Sequence, residues 1–293
     1  MATLSQGVKA VLWMFGSIAS FLIMAVAGRA VTAKLDVFQV MEMRSIIGLL
    51  ILLPLVHMSG GFRAMRSDRP LQHIGRNVVH YAGQFAWLYA LTLIPLAQLI
   101  SIEFTTPLWT AILAVFFLGE KLSRPKIAAI ALGIVGVAVI VRPGAEQIDP
   151  GHLIMLAGAV AFGISVVMVK SLTRTDSVVR IIFWMMVIQS IIGLVPAIQT
   201  WRQPTLDLWP WIFVISFTGM SSHFCMARAL SLADATAIMP LDFLRVPLSA
   251  LIGWMLYSER IDLFTVIGAA LILLGNVLNL QRRPPKPSEV ATS

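Results

Sequence analysis

The chain is poor in charged residues and has a single cysteine. Of its 293 residues, 12% are charged and 58% are hydrophobic, whereas soluble domains carry about a quarter charged residues. Together with a mean hydropathy of +0.86, these values exclude a soluble globular protein and predict an all-α integral membrane protein. One cysteine, Cys225, permits neither an intrachain disulfide nor a thiolate metal cluster, so we interpret it as a packing residue.

Motifs of catalysis and of nucleotide binding are also missing. The five histidines are scattered without the His-Glu-x-x-His spacing of a zinc site, and there is no Gly-x-Ser-x-Gly elbow. The lack of a phosphate-binding loop excludes ATP-driven transport by this chain alone. We therefore expect no enzyme activity, no cofactor and no metal. A membrane-embedded enzyme or a channel is the alternative of a different class, although charged rings and filter sequences are missing too.

Long apolar runs fill nearly the whole chain. A transmembrane helix needs about 20 apolar residues, and the connections between the runs are short, which leaves no room for a soluble domain. Ten candidate spans lie at 9–28, 37–57, 73–94, 97–117, 125–142, 151–170, 179–200, 208–230, 235–256 and 263–281.

The basic residues are distributed unevenly about these spans. With the N-terminus on the inside, fifteen lysines and arginines lie in inner segments, five in outer segments and two within spans. This bias follows the positive-inside rule, so the net charge of +8 reports topology and not a nucleic-acid partner. We predict a multi-pass protein of a bacterial-type inner membrane with both termini in the cytoplasm.

The sequence repeats itself at a shift of 139 residues. The shift places three residues of the first half on three of the second: Glu103 on Asp242, Phe104 on Phe243 and Glu120 on Glu259. Each half holds five spans, and an odd number inverts the second copy across the bilayer, as in alternating-access transporters. We expect two inverted five-helix repeats around a central cavity, at 1–145 and 146–281, and a disordered cytoplasmic tail at 282–293. The first span also resembles a cleavable signal peptide, but the repeat requires it, so we retain it.

Each copy of the repeated segment contains a short box followed by a glycine-spaced helix. The first copy has Pro107, Gly119-Glu120-Lys121-Leu122, Gly133 and Gly136, and the second has Pro247, Ser258-Glu259-Arg260-Ile261, Gly268 and Gly275. This pattern resembles the drug/metabolite transporter superfamily of the EamA type over almost the whole chain, with serine replacing one glycine in the second box. The resemblance implies a ten-helix inverted-repeat transporter, and many members of that family export amino acids and related metabolites.

Five charged residues lie within the predicted spans: Glu42, Arg44, Glu103, Asp242 and Arg245. Each costs about 2.5–3.5 kcal/mol at a helix centre, so each should face a cavity or a partner. A rise of about 1.5 Å per residue places Glu103 roughly 8–10 Å below the outer surface and Asp242 at a similar depth from the inner surface. We expect Arg44 to pair with Glu103, and Arg245 with Asp242. These residues serve either as structural ion pairs or in substrate binding and gating.

A polar stripe runs along the third span. His80, Gln84 and Trp87 share one helical face at i, i+4 and i+7, with Tyr81 beside them, and His223 takes the equivalent place in the eighth span. These side chains either hold an amphipathic molecule by hydrogen bonds and stacking or bond one helix to another. Further candidates for the cavity wall are Trp13, Trp109 and Trp184, although tryptophan is also enriched at membrane interfaces.

Prolines interrupt the fourth and ninth spans, which correspond in the repeat. They are Pro107 in the first copy and Pro240 and Pro247 in the second. Proline removes a backbone hydrogen bond and kinks a helix, and matching interruptions point to the site and hinges of a transporter, so we predict that both helices bend there. Glycines on the fifth and tenth spans predict close packing within a monomer, and a homodimer seam is the alternative.

Together these features predict a secondary transporter that exports small metabolites across the inner membrane by alternating access. Acids and arginines beside aromatic side chains suit a zwitterion, so amino acids, handled broadly or with a preference for aromatic and neutral ones, are the expected substrate. Nucleosides, polyamines and cationic drugs are alternatives, and proton coupling is open. The expected partners are a small-molecule substrate and membrane lipids.

Overall fold

Helices account for nearly all of the chain that the structure describes. The structure is a computed structural model that describes residues 6–118, 124–142, 149–232 and 241–280, and it contains no β-strand within them, in agreement with the predicted all-α class. Two 3-10 helices lie at Phe62–Met65 and Leu206–Leu208. The α-helices are α1 (Gln6–Thr32), α2 (Val37–Met58), α3 (Pro70–Ala90), α4 (Leu96–Glu103), α5 (Thr106–Leu118), α6 (Arg124–Val141), α7 (Pro150–Leu172), α8 (Val178–Gln199), α9 (Trp209–Leu232), α10 (Arg245–Tyr257) and α11 (Leu263–Leu280).

The apolar composition of these helices makes them membrane spans. Two shorter apolar helices lie at Ile127–Val141 and Leu263–Leu278, while α3 and α9 are long but carry polar residues at mid-length. The structure confirms the predicted ten spans when α4 is counted with α5 and residues 241–244 with α10. Five stretches are long and apolar enough to cross a bilayer by themselves: Gln6–Thr32, Val37–Met58, Leu96–Leu113, Pro150–Val169 and Val178–Gln199.

The contacts between helices follow the two-fold symmetry of the repeat. α1 packs against α9 as α7 packs against α3, while α2 packs against α8 and α6 against α11. A Cβ at Gly16 of α1 would lie 3.4 Å from Cys225 Sγ, and a Cβ at Gly158 of α7 would lie 3.0 Å from Ala86 Cβ. The two contacts are equivalent in the repeat, because a shift of 142 residues relates Gly16 to Gly158 and a shift of 139 relates Ala86 to Cys225. The two-repeat architecture is confirmed, and Cys225 is a packing residue at a helix crossing.

The predicted close packing of the fifth and tenth spans occurs within the chain. A Cβ at Gly136 of α6 would lie 2.7 Å from the carbonyl oxygen of Gly268, and one at Gly275 would lie 2.8 Å from that of Ala129. Only glycine lets the α6 and α11 backbones approach so closely. The small faces predicted from the sequence are therefore used between α6 and α11.

The fourth span is broken at mid-length. α4 ends at Glu103 and α5 begins at Thr106. The carbonyl oxygen of Phe104 accepts a hydrogen bond of 2.7 Å from Asn276 Nδ2 of α11, and this neighbour satisfies a backbone group that the break would leave free in an apolar environment. Residues 243 and 244 form a turn at the equivalent place before α10. The Phe104 and Phe243 rings lie edge to face with centroids 5.5 Å apart, so the two breaks meet.

Candidate substrate site

Arg245 joins the two repeats where the broken helices meet. Its Nη1 donates to Glu103 Oε1 at 3.1 Å and its Nη2 donates to Asp242 Oδ2 at 2.5 Å. The rings of Phe21 and Phe104 lie 4.3 and 4.6 Å from its guanidinium carbon, within the range of cation–π attraction. The predicted Arg245–Asp242 pair is confirmed. The predicted Arg44–Glu103 pair is wrong, because Arg245 holds Glu103 from the other repeat.

The predicted separation of the two acids is also wrong. The residue count predicts Glu103 near the outer surface and Asp242 near the inner surface, yet they share one cation. A count along straight helices takes no account of the breaks, where both acids reach the same arginine. Trp87 Nε1 donates to the second oxygen of Glu103 at 2.7 Å. Among the described residues, Asp242 Oδ1 is buried without a hydrogen-bond partner, so one carboxylate oxygen of the cluster is available to a ligand.

The predicted stripe on α3 forms a hydrogen-bonded chain with α7. Gln84 Nε2 lies 3.0 Å from His80 Nε2, and Ser165 Oγ lies 3.3 Å from His80 Nδ1. When the Gln84 amide donates, His80 accepts at Nε2 and carries its proton on Nδ1, facing Ser165. Phe162 lies beside the imidazole, with ring centroids 5.5 Å apart. Gln84 Oε1 is buried without a partner and is therefore available to a hydrogen-bond donor.

Arg44 brings a second cation to this region. It is half-buried and has no ion pair with an acid in the part of the chain that the structure describes. It interacts electrostatically with Tyr81, His80 and His223. The exposed His223 also interacts with Arg245. The exposed His223 therefore lies within electrostatic reach of Arg44 from the first repeat and Arg245 from the second, and we call the region between these three side chains the candidate substrate space.

The four tryptophans proposed for the cavity wall lie at different places in the fold. Trp87 is 5% exposed and lies in the central cluster, while the Trp13 ring packs edge to face with Phe224, next to His223. Trp109 lines an apolar cavity of about 270 Å³ between α5, α6 and α7. Trp184 donates to the Met65 carbonyl oxygen at 2.9 Å, in the connection between α2 and α3. Trp109 and Trp184 therefore have these contacts, and their place in the wall of the substrate cavity stays a prediction.

A contact on the predicted outer side was not anticipated from the sequence. Arg29 at the end of α1 forms an ion pair with Glu259, and it donates to the carbonyl oxygens of Leu91 at 3.1 Å and Ile94 at 2.8 Å. Glu259 also accepts from the backbone N–H of Leu96, at 2.9 Å. We call Arg29 and Glu259 the outer latch, since they tie α1, α4 and the end of α10 together beside a cavity of about 440 Å³. The repeat aligned Glu259 with Glu120, but it did not predict that Arg29 would be the partner of Glu259.

The remaining predicted positions concern the hinges and metals. Pro107 is the second residue of α5 and Pro247 is the third of α10, so each lies just after a break, whereas Pro240 lies outside the described residues. Among the residues that the structure describes, no three His, Cys, Asp or Glu side chains gather as metal ligands would.

Comparisons with known proteins relate this chain to membrane transporters. A relative in Rickettsia conorii, an S-adenosylmethionine uptake transporter, is 29% identical over 89% of this chain and 88% of its own length. A riboflavin transporter of Brucella anthropi is 31% identical over 84% of this chain and 88% of its own length. The pseudopaline exporter CntI of Pseudomonas aeruginosa is 23% identical over 87% of this chain and 90% of its own length.

The fold and the family agree with this relationship. A crystal structure matches with a TM-score of 0.64 and 19% sequence identity, over 92% of this chain and 95% of that one, which supports the fold alone. The model of the EamA-like transporter family matches twice, at residues 8–142 and 149–281. These relatives are named for transport and not for catalysis, as the absence of catalytic motifs predicted. The chain belongs to the EamA-like transporter family, as a multi-pass membrane transporter of small metabolites with two EamA repeats.

Proposed function

We propose that this transporter takes up an α-amino acid that carries an aromatic base, with S-adenosylmethionine as the leading candidate, by alternating access. The proposal rests on a cation and a carboxylate oxygen that border the candidate substrate space and have no partners among the described residues. Within the described part of the chain, Arg44 offers a cation without an ion pair, and Asp242 offers a carboxylate oxygen without a hydrogen-bond partner. A zwitterion supplies both complements, since a guanidinium binds a carboxylate and a carboxylate binds an ammonium or sulfonium group.

An aromatic base suits the remaining groups. Gln84 Oε1 has no partner, and a glutamine amide can accept from the exocyclic amine of adenine. Trp87, Phe21 and Phe162 supply ring surfaces around the polar stripe, and aromatic surfaces hold bases by stacking. S-adenosylmethionine combines an amino-acid group, a sulfonium and an adenine in one molecule. Riboflavin, the substrate of another group of relatives, is neutral near pH 7 and leaves Arg44 and Asp242 without complements.

The proposal revises the substrate and the direction expected from the sequence. Export of ordinary amino acids finds no support in the relatives, which include uptake transporters and one exporter. Uptake is preferred because the chain matches four S-adenosylmethionine uptake transporters along 89% of its length. Amino-acid recognition is retained, because S-adenosylmethionine is itself an α-amino acid.

Counterflow in proteoliposomes tests the substrate. Vesicles loaded with unlabelled S-adenosylmethionine should accumulate the labelled compound, and S-adenosylhomocysteine should compete better than methionine or adenosine, each of which supplies half of the contacts. Riboflavin, spermidine and neutral amino acids should compete poorly. Counterflow of riboflavin or of a plain amino acid, without counterflow of S-adenosylmethionine, would overturn the assignment.

A matched ligand pair tests the role of Arg44. Decarboxylated S-adenosylmethionine lacks the carboxylate, so the wild-type protein should bind it about tenfold or more weakly, as expected when a charged hydrogen bond of about 1.5–3 kcal/mol is lost. Arg44→Gln should bind both ligands with similar affinity. The control is Arg202→Gln, an exposed change on the predicted outer side that should keep the wild-type preference. A preference that survives in Arg44→Gln would remove Arg44 from the site.

A further inference from the structure

Glu42 is a buried acid that the substrate site does not use. Its side chain is 2% exposed on α2, and Oε2 has no hydrogen-bond partner in the part of the chain that the structure describes. Arg44 lies two residues away on nearly the opposite side of the helix, where it borders the substrate space. An isolated carboxylate in an apolar interior is very costly, so such a group takes up a proton instead.

The surroundings of Glu42 contain further unpaired polar groups. A Cβ at Gly193 of α8 would lie 2.6 Å from Glu42 Oε2 and 2.8 Å from the Tyr81 hydroxyl oxygen, so these two oxygens flank the same point. The Tyr81 hydroxyl and the Gln189 Nε2 are both buried without hydrogen-bond partners among the described residues. Gln189 lies one turn from Gly193 on the same face of α8. We call Glu42, Tyr81, Gln189 and Gly193 the α2–α8 junction.

The junction is too tightly packed for an organic ligand. A single methyl group at Gly193 would approach both oxygens more closely than side chains normally do, so no cavity separates α8 from Glu42 and Tyr81. An ammonium or sulfonium compound does not fit in such a space. A proton does, because it needs only one carboxyl oxygen.

Within the described residues, no cation of the neighbouring helices forms an ion pair with Glu42. α2 packs against α1, α3, α8, α9 and the Phe62–Met65 turn, and in that part of the chain Tyr81 is the titratable group of these elements that lies beside Glu42. Arg180 is the one charged residue of α8, at its inner end, where it pairs with Asp176. The other charged or titratable groups of these elements and of the α2 N-cap lie near the predicted inner end (Lys9, His57, Arg63, His73, Arg76, Arg228), near the outer end (Arg29, Asp36, Tyr89), at the α1–α9 crossing (Cys225) or around the substrate space (Arg44, His80, His223).

We propose that Glu42 is a proton-binding site that couples proton entry to substrate uptake, with one proton carried per transport cycle. Its carboxylate takes a proton from hydronium on the outer side, which leaves water there. When movement of α8 admits water from the inner side, the carboxyl O–H bond breaks and the proton passes to that water as hydronium. The outer latch is closed in the structure, and Glu42 is buried in the same state. Because burial disfavours the charged carboxylate, protonation of Glu42 favours this outward-closed state. In symport, the transporter reaches that state when a proton and the substrate are both bound. The coupling rests on the proposed uptake function, whereas proton binding at Glu42 does not.

Substrate accumulation tests the coupling. At zero membrane potential, wild-type proteoliposomes should concentrate S-adenosylmethionine about tenfold for each pH unit by which the outside is more acidic than the inside. One pH unit and a tenfold concentration ratio are equal in free energy. Glu42→Gln, which resembles the protonated acid, should keep counterflow and lose the accumulation. Glu42→Asp should recover part of it, and Asp207→Asn, an exposed acid on the predicted outer side, should behave like wild type. Accumulation by Glu42→Gln equal to wild type would overturn the coupling.

A substrate-free measurement separates the site from the transport function. Infrared difference spectra of the reconstituted protein, recorded across a pH titration, should show the carbonyl band of a protonated carboxyl group in the wild type and in Asp207→Asn but not in Glu42→Gln. An unchanged band in Glu42→Gln overturns the proton site. Loss of the band in that variant, in a protein that moves no S-adenosylmethionine, supports the site and overturns the proposed substrate.

Discussion

Arg245 of α10 holds Glu103 of α4 through an ion pair of 3.1 Å that crosses from one repeat to the other. Both residues flank the breaks of their spans, at positions where a continuous helix would carry them apart. The same guanidinium pairs with Asp242 and is covered by Phe21 and Phe104. A single side chain therefore fixes how the two broken helices meet.

Removal of the Arg245 charge should destabilise the protein strongly. Arg245→Gln leaves two buried carboxylates without a cation, and breaking a buried pair costs about 3–5 kcal/mol. Arg245→Lys should cost less, but it should not match the wild type, because a lysine lacks the planar fork that bonds two acids and stacks between rings. The free energy of unfolding in mixed micelles measures both changes.

Two controls make the Arg245 result specific. Arg260→Gln removes an exposed arginine and should change stability by less than about 0.5 kcal/mol. Glu103→Gln combined with Arg245→Gln should cost less than the sum of the two single changes, because each single change strands the other partner. Additive costs would contradict the ion pair as the source of the stability.

Loss of the outer latch should favour the outward-open state. Glu259→Gln removes the ion pair with Arg29 and weakens the bond from the Leu96 N–H. A loss of about 1–2 kcal/mol changes the ratio of two states by a factor of about 5–30. A cysteine introduced at Thr92, which lines the adjacent cavity, should then react faster with a membrane-impermeant maleimide in a Cys225→Ser background.

The Lys34–Asp207 pair provides the control for the latch. It lies on the same predicted side, but its side chains are 58% and 61% exposed, and exposed pairs contribute about 0–1 kcal/mol. Asp207→Asn should leave the labelling rate at Thr92 unchanged. Combining Arg29→Glu with Glu259→Arg should restore part of the protection, and equal labelling of the swapped and single variants would argue against a latch.

The number of spans and their arrangement in two repeats were predictable from the sequence, because both depend on composition and on the internal repeat. Apolar runs long enough to span a bilayer located the helices, and the alignment of Phe104 with Phe243 anticipated two residues that contact each other. Equivalent residues meet there because the breaks of the two repeats lie against each other. The His80–Gln84 bond followed from helical spacing alone.

The partners of the charged residues were not predictable in the same way. Depth counting assumed straight helices, so it placed Glu103 and Asp242 apart and assigned Glu103 to Arg44. The latch between Arg29 and Glu259 joins residues separated by 230 positions, for which spacing carries no information. Asn276 could have indicated the break in the fourth span. A single amide side chain in the apolar tenth span indicates a backbone group that needs a hydrogen-bond partner, and Asn276 donates to the carbonyl oxygen of Phe104.

Stability should fall in acid because of Asp176, in the connection between α7 and α8. Burial acts to raise the pKa of this carboxyl, but hydrogen bonds from Arg180, His73 and Ser67 outweigh it and hold the pKa below 3.8. A group with a lowered pKa in the folded state stabilises the fold above its unfolded pKa, and that stability is lost as the pH falls through the folded value. Unfolding should therefore become easier below about pH 4.

Asp176→Asn tests this assignment. The variant should lose about 1.5–3 kcal/mol near pH 7, as expected for hydrogen bonds to a charged group, and its stability should depend less on pH in the acid range. Asp68→Asn, an exposed acid in the preceding inner connection, should follow the wild-type curve. A pH dependence as steep in Asp176→Asn as in the wild type would assign the acid sensitivity to other carboxylates.

Pro107 is proposed as a hinge because it follows the break at Phe104. An alanine at this position would supply a backbone N–H that can donate to the Glu103 carbonyl four residues earlier, which would extend α5 through the break. We expect Pro107→Ala to slow S-adenosylmethionine counterflow by about tenfold or more while folded yield falls little, since a barrier increase of about 1.4 kcal/mol slows a step tenfold. Pro54→Ala, at a proline inside α2 away from the breaks, is the matched control and should change both quantities little. Equal losses of transport and of folded yield in Pro107→Ala would show that the proline serves folding and not the movement.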